Sequence, residues 1–271
     1  MSSFLSHDVL VNNIKLHYQV TSPTGPPLIL VHGYTSFGSS WYPTAHLLKN
    51  NYQVYLPDNR GHGYSDATEL GYGPADRVSD LEGFIHELNL NKPCIVGHSL
   101  GADTAARLAA EYPDLTTCLV LIDPPWIESN EANKQLTEQL EKNRQEAQKR
   151  LTLPLKNIIQ LGHIEHPSWT EEEIHTWALG KKLVNPHALH SIDFLDTDWQ
   201  FPVSLLNAPT LLMTGDLSLG GLVSPEVEAL FISLCPGGQA VRISNAGHSI
   251  HMDQFPQFSN YLTQFLQKYF P

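Results

Sequence analysis

Gly97-His98-Ser99-Leu100-Gly101 is the stretch of this chain whose residue types and spacing could do chemistry. A serine hydroxyl attacks an acyl carbon only when a base takes its proton and donors wait for the oxyanion that forms. Gly-x-Ser-x-Gly supplies part of that when a strand precedes it and a helix follows. The turn is then so sharp that the serine is strained, and only glycines fit beside it. Pro93–Val96 is a short apolar run of strand type, and Ala102–Ala110 is rich in helix formers, so the context is met. Alone, the pentapeptide would equally describe a glycine-rich turn with an ordinary serine.

Three further groups are needed: a base, an acid that orients it, and a second oxyanion donor. His248, in Asn245-Ala246-Gly247-His248-Ser249, follows the last strand-like run and is the expected base. Asp216, after Leu211-Leu212-Met213-Thr214-Gly215, is the expected acid, which gives the chain order Ser, Asp, His. Asp123, closing Leu119–Ile122, is the competing acid, and its plainer task is to cap the entrance to the lid. Asp253 lies too close behind His248 to orient it. The oxyanion donors are expected to be the backbone N–H groups of Leu100 and Tyr34, the latter in His32-Gly33-Tyr34-Thr35, where Gly33 permits a close backbone approach. His32 reads as a hydrogen-bonder beneath that loop. Tyr34, His98, Trp126, Trp169 and Trp177 are expected to line a substrate pocket, with Phe194 a further aromatic; simple packing is the plainer reading of such aromatics.

Other clusters point to no chemistry of their own. Asp58-Asn59-Arg60-Gly61-His62-Gly63-Tyr64-Ser65 lacks the Lys-Ser/Thr ending of a phosphate loop and reads as a structural turn held by Asp58 and Arg60. The remaining histidines show no metal-ligand spacing, so neither metal nor cofactor is expected.

The elements that must position these residues alternate. Strands are expected over 9–11 and 16–20, joined at Asn12-Asn13, then at 28–31, 52–56, 93–96, 119–122, 210–214 and 240–243. Helices are expected near 42–49, 76–89, 102–110, 225–234 and 256–269. Leu28-Ile29-Leu30-Val31 is apolar without alternation, as a strand covered on both faces must be. Between 126 and 200 the pattern is helical throughout, including Thr170–Val184 with Thr170 as N-cap before three glutamates. The fold class is therefore α/β: a mostly parallel sheet with helices on both faces, its core formed by 1–125 and 201–271 and a helical cap inserted at 126–200. The insert leaves from the carboxyl ends of the strands, where such sheets bind ligands, so it reads as a lid.

Composition narrows the partners. The 271 residues carry 28 acidic and 16 basic side chains, a formal net charge of −12, which argues against nucleic acid and anionic membrane surfaces. Three cysteines without metal spacing read as core residues in a reducing compartment. The first residues lack the basic and apolar regions of a signal peptide, and no run is long enough to span a membrane; a cytoplasmic monomer or homodimer is expected.

Taken together, His32-Gly33, Asp58-x-Arg60-Gly61-His62-Gly63-x-Ser65, Gly97-His98-Ser99-Leu100-Gly101, Gly215-Asp216 and Gly247-His248 with Pro256 and Phe258 make the chain resemble the α/β-hydrolase superfamily along nearly its whole length. The resemblance implies an α/β-hydrolase fold and, with serine as nucleophile, sets aside epoxide hydrolases and dehalogenases, which use aspartate there. Ser249 stands where carbon–carbon bond hydrolases usually carry tryptophan, and Ser218 stands where many relatives have a second acidic residue. The expected activity is hydrolysis of a small carboxylic ester or lactone. A ligand receptor with a slow triad, or a lyase or perhydrolase, are the alternatives.

Overall fold

A computed structural model of the chain describes residues 4–21, 25–126, 132–190 and 198–271, with the side chains of 132–140 and 190 left aside. Among the described residues eight strands form one sheet in the order β1-β2-β4-β3-β5-β6-β7-β8. They are β1 Leu5–Val11, β2 Ile14–Val20, β3 Pro27–Val31, β4 Gln53–Pro57, β5 Cys94–His98, β6 Leu119–Ile122, β7 Thr210–Thr214 and β8 Gly238–Arg242. β1 and β2 are an antiparallel hairpin whose turn is Asn12 and Asn13, both at positive φ (50° and 62°), a conformation that asparagine tolerates better than most residues. From β4 onward the neighbours are parallel.

The helices are α1 Tyr42–Leu48, α2 Pro74–Glu87, α3 Leu100–Glu111, α4 Ala132–Thr152, α5 Leu155–Glu165, α6 Glu171–Lys182, α7 Pro186–His190, α8 Gln200–Ser204, α9 Pro225–Leu234, α10 Ile250–Asp253 and α11 Phe255–Tyr269. The central strands are sealed on both faces. Ile29, Val31, Ile95 and Leu121 pack under α2, α3, α8 and α9. Leu28, Leu30, Val96 and Val120 pack under α1 and α11, through Trp41, Leu48, Phe258 and Leu262. That is why these strands read as unbroken apolar runs.

Helices α4 to α7 lie between β6 and β7 and sit over the carboxyl ends of the strands. The Asn185 N–H donates to Gly61 O at 2.7 Å, and the Trp169 indole N–H donates to Asp253 Oδ1 at 2.8 Å. α6 opens with the expected cap: Glu173 N donates to Thr170 Oγ1 at 3.3 Å, and Thr170 N donates to Glu173 Oε2 at 2.7 Å. α8 belongs instead to the sheet's own packing, since Trp199, Val203 and Leu206 join the core beside α3. The turn α10, directly behind His248, has no counterpart among the expected elements. Phe194 lies outside the described residues. No helix among the described residues is long and apolar enough to cross a membrane.

Candidate active site

The loops after β3, β5, β6 and β8 each place a non-glycine residue at positive φ at the carboxyl edge of the sheet: Thr35 (54°), Ser99 (53°), Asp123 (42°) and Asn245 (61°). Such residues cost free energy and persist where the surroundings over-determine them. Ser99 N donates to Ile122 O at 2.8 Å, carrying the β5–β6 ladder up to the serine, and α3 begins at the very next residue. The glycines beside it are needed for space. A Cβ on Gly97 would sit 2.4 Å from Gly101 O, and one on Gly101 would sit 2.3 Å from Val31 O.

Leu100 is the first residue of α3, so its N–H has no partner within the helix and sits at the positive end of the dipole. The loop after β3 crowds the serine from the other side: a Cβ on Gly33 would meet Ser99 Cβ at 3.0 Å and His98 Nδ1 at 3.1 Å. This close approach puts the backbone of Gly33, and with it the start of the loop that carries Tyr34, beside Ser99. His32 lies below it, buried and kept neutral by burial; Nδ1 donates to Gly33 O at 2.7 Å and Nε2 accepts from Asn59 N at 2.9 Å.

His248 donates from Nδ1 to Asp123 Oδ2 at 2.7 Å. Asp123 is fully buried, and its carboxylate also accepts from Leu222 N at 2.9 Å and Val223 N at 3.2 Å. With Nδ1 so engaged, Nε2 is the nitrogen of His248 left for the serine. The imidazole packs against His98, whose ring centre is 4.6 Å away and whose Nε2 donates to His248 O at 2.9 Å. Burial and the neighbouring His248 and His251 push the His98 pKa well down, so it is a neutral strut under the elbow and not a pocket wall.

The expected partnership of His248 with Asp216 is corrected by this geometry. Asp216 Oδ2 accepts from Asn245 N at 2.7 Å, and Asp216 N donates to Ala246 O at 2.7 Å, so its task is to tie the loops after β7 and β8 together. The reason is strand order. A histidine reaching back to Ser99 on β5 meets the end of β6, the adjacent strand, before it meets β7, one strand further out at about 4.8 Å per strand.

The aromatic residues divide. Trp126 is 2% exposed, stacks on Trp199 with ring centres 5.0 Å apart and donates to Asp103 Oδ1 at 3.2 Å; it is core, not pocket. Trp169 stacks on His166 at 3.7 Å and seats the cap on Asp253, so it too is a packing residue. Trp177 is half-buried in the cap with Arg150 and Lys181 over its ring, each 5.2 Å from the centre. Tyr34 is half-buried, reaches into the cap to Leu189 O at 3.4 Å, and burial pushes its phenol pKa up. Asp58 and Arg60 do hold loops: Asp58 accepts from Gly38 N at 2.6 Å and Tyr64 N at 2.9 Å, and Arg60 pairs with Asp80. Among the described residues no group of three or more His, Cys, Asp or Glu side chains could hold a metal ion.

A family model described as alpha/beta hydrolase fold matches residues 26–255. The chain belongs to that family. It is 29% identical to an N-formylmaleamate deformylase of Pseudomonas putida, over 95% of both chains. It is 37% identical over 127 residues to a 2-(acetamidomethylene)succinate hydrolase of Mesorhizobium japonicum, a match that spans 46% of this chain and 45% of that protein. A crystal structure of an E-2-(acetamidomethylene)succinate hydrolase superimposes with a TM-score of 0.86 at 26% identity, covering 98% of this chain and all of that one. These relatives are hydrolases, and the likeness supports a hydrolase of the α/β superfamily here.

Two residues near this site have surroundings that the sequence does not show: Lys181 is bonded to Thr35, and the buried His62 leaves its Nε2 without a partner. Lys181 lies in the last turn of α6 within Gly180-Lys181-Lys182, which looks like any solvated helix terminus. His62 sits in the turn already assigned to structure. Neither carries a local signal.

Proposed function

We propose that this protein is a serine hydrolase that cleaves a small carboxylic ester or lactone. The observation that supports it is the 2.7 Å bond from His248 Nδ1 to the fully buried Asp123, beside a serine held at φ 53° on the elbow. Ser99 Oγ attacks the acyl carbon while His248 Nε2 takes its proton. Asp123 fixes the tautomer that leaves Nε2 free as acceptor and stabilises the imidazolium. The Leu100 and Tyr34 N–H groups receive the oxyanion. His248 returns the proton to the leaving group, water then attacks the acyl-enzyme with His248 again as base, and Ser99 is restored. This sequence needs no metal or cofactor, and the helical insert selects which acyl and leaving groups enter.

A second reading has a specific observation behind it. The full-length likeness to a deformylase named for an N-formyl compound favours a substrate whose acyl group is bonded to nitrogen. The same residues serve, with His248 protonating a departing nitrogen.

The test is intact-mass labelling with a small fluorophosphonate, wild type beside Ser99→Ala. A single adduct on the wild type alone is expected. No adduct on folded wild type would overturn the nucleophile assignment and bring the receptor alternative forward.

A further inference from the structure

We propose that Lys181, carried by the cap over the loop after β3, anchors a carboxylate on the substrate, so that the enzyme acts on acyl compounds bearing a second, negatively charged group. The inference rests on the hydrolase reading above and specifies its substrate class. Lys181 Nζ donates to Thr35 Oγ1 at 2.7 Å and to Thr35 O at 3.1 Å, both neutral oxygens. An ammonium has three donors, and the third group this one meets is the neutral face of Trp177, whose ring centre is 5.2 Å from Nζ. Among the described residues no carboxylate lies within ion-pair distance of it. Glu165 acts on it from the end of α5, but that carboxylate is engaged by Arg150 at 2.7 Å. A half-buried ammonium without an anion is a costly arrangement, which a bound anion would complete.

The position is suited to substrate. Thr35 directly follows Tyr34, whose N–H is the proposed oxyanion donor, so Lys181 is bonded to the same loop that the reading above sets beside the reacting carbonyl. A second observation points into the same place. His62 is 5% exposed, its Nδ1 donates to Arg60 O at 2.9 Å, and its Nε2 has no partner; its ring stands 6.1 Å from that of Tyr34. Lys181 is thus a cation with no carboxylate beside it and His62 a buried ring with one nitrogen unpartnered, a pair that a ligand with both a carboxylate and a polar group would complete. A protein of net charge −12 repels anions in general, so a dedicated cation is needed to admit one.

Protonation gives the inference a signature. Burial, and Arg150 on α4, push the Lys181 pKa down to about 7, with Glu165 acting the other way; His62 and His98 on the core and His166 after α5 face it as well, all three lowered by burial. At pH 8 the lysine is mostly neutral, and a carboxylate favours its charged form. Binding is therefore expected to take up a proton.

The probe is succinate, titrated calorimetrically at pH 8 in two buffers of different ionisation heat, with wild type, Lys181→Met and Lys181→Arg. This measurement needs no turnover, so its outcome is independent of whether Ser99 is the nucleophile. Saturable binding with proton uptake in wild type, lost in Lys181→Met, supports the inference; so does binding without uptake in Lys181→Arg, whose guanidinium stays charged. No binding, or uptake that persists in Lys181→Met, overturns it. A kinetic arm separates anchoring from mere support of the loop. Wild type is expected to prefer the 4-nitrophenyl half-ester of succinate over 4-nitrophenyl butyrate at least tenfold in kcat/KM, mainly through KM. Lys181→Met should remove that ratio and Lys181→Arg should retain most of it; equal losses on both esters would assign Lys181 to the loop alone.

Discussion

Asp123 Oδ2 is shared between His248 Nδ1 at 2.7 Å and Leu222 N at 2.9 Å, so one buried oxygen fixes both the imidazole and the loop that leads into α9. An acceptor-only carboxylate suits this site, because all of its neighbours donate. Asp123→Asn places an amide that can offer N–H to Nδ1 and favours the wrong tautomer. Its kcat on an ester substrate should fall about 10⁴-fold, the scale of such a change in other serine triads. Asp216→Asn keeps a carbonyl for Asn245 and should remain within a few-fold of wild type. The reverse order of the two variants would return the acid to Asp216.

The approach of Gly33 to Ser99 gives a second prediction. In Gly33→Ala the new methyl would stand 3.0 Å from Ser99 Cβ and 3.1 Å from His98 Nδ1, and the loop must yield by a few tenths of an ångström. That displaces the Tyr34 N–H from the oxyanion while the fold survives. Losing one such donor costs about 10²-fold or more in kcat. In Gly101→Ala the methyl meets backbone, Val31 O at 2.3 Å and His32 O at 2.7 Å, with nowhere to go. This variant should be lost to the insoluble fraction or melt far below wild type. A well-folded, fully active Gly33→Ala would remove Tyr34 from the site.

Much of this arrangement is legible in the chain because it is local. The elbow glycines, Ser99 and the strand and helix around it form one continuous stretch, Cys94 to Glu111, and the apolar runs 28–31 and 119–122 declare strands covered on both faces. His248 is found because it follows the last strand. Asp123 and Asp216 look alike in sequence, each an aspartate at a strand's end; what separates them is that β6 and not β7 neighbours β5, a fact of sheet order. Trp126 is equally deceptive. It opens the insert, where a pocket aromatic is expected, yet it turns back onto Trp199 and Phe231 in the core. Lys181 looks like its neighbour Lys182 in sequence, and only the folded cap shows it bonded to Thr35.

Trp126 accordingly belongs to stability. Trp126→Ala leaves a cavity beside Trp199 and removes one donor from Asp103, which keeps Arg77 at 3.0 Å and Arg107 at 3.0 Å. Large-to-small changes of this kind cost about 3–5 kcal/mol. Denaturant unfolding should show a loss of that size, and KM of the folded fraction should be unchanged. A raised KM with little loss of stability would put the ring in the pocket.

Lys181 also makes stability depend on pH in a direction that can be worked out. Its pKa is about 7 in the folded protein against an ordinary lysine value of 10.5. Below pH 7 both folded and unfolded chains hold the proton, and the group adds no slope. Between about 7 and 10.5 the unfolded chain holds a proton that the folded one has released, so Lys181 makes stability rise with pH. Lys181→Met lacks this contribution while keeping a side chain of similar length. The stability of the variant relative to wild type should therefore be highest below pH 7 and decline steadily as the pH rises toward 10. Urea unfolding of both proteins across that range reads the difference directly, and common effects of the other titrating groups cancel in it. A difference independent of pH would mean that the lysine keeps an ordinary pKa, as a solvated side chain does, and would count equally against a desolvated anchor in the cap.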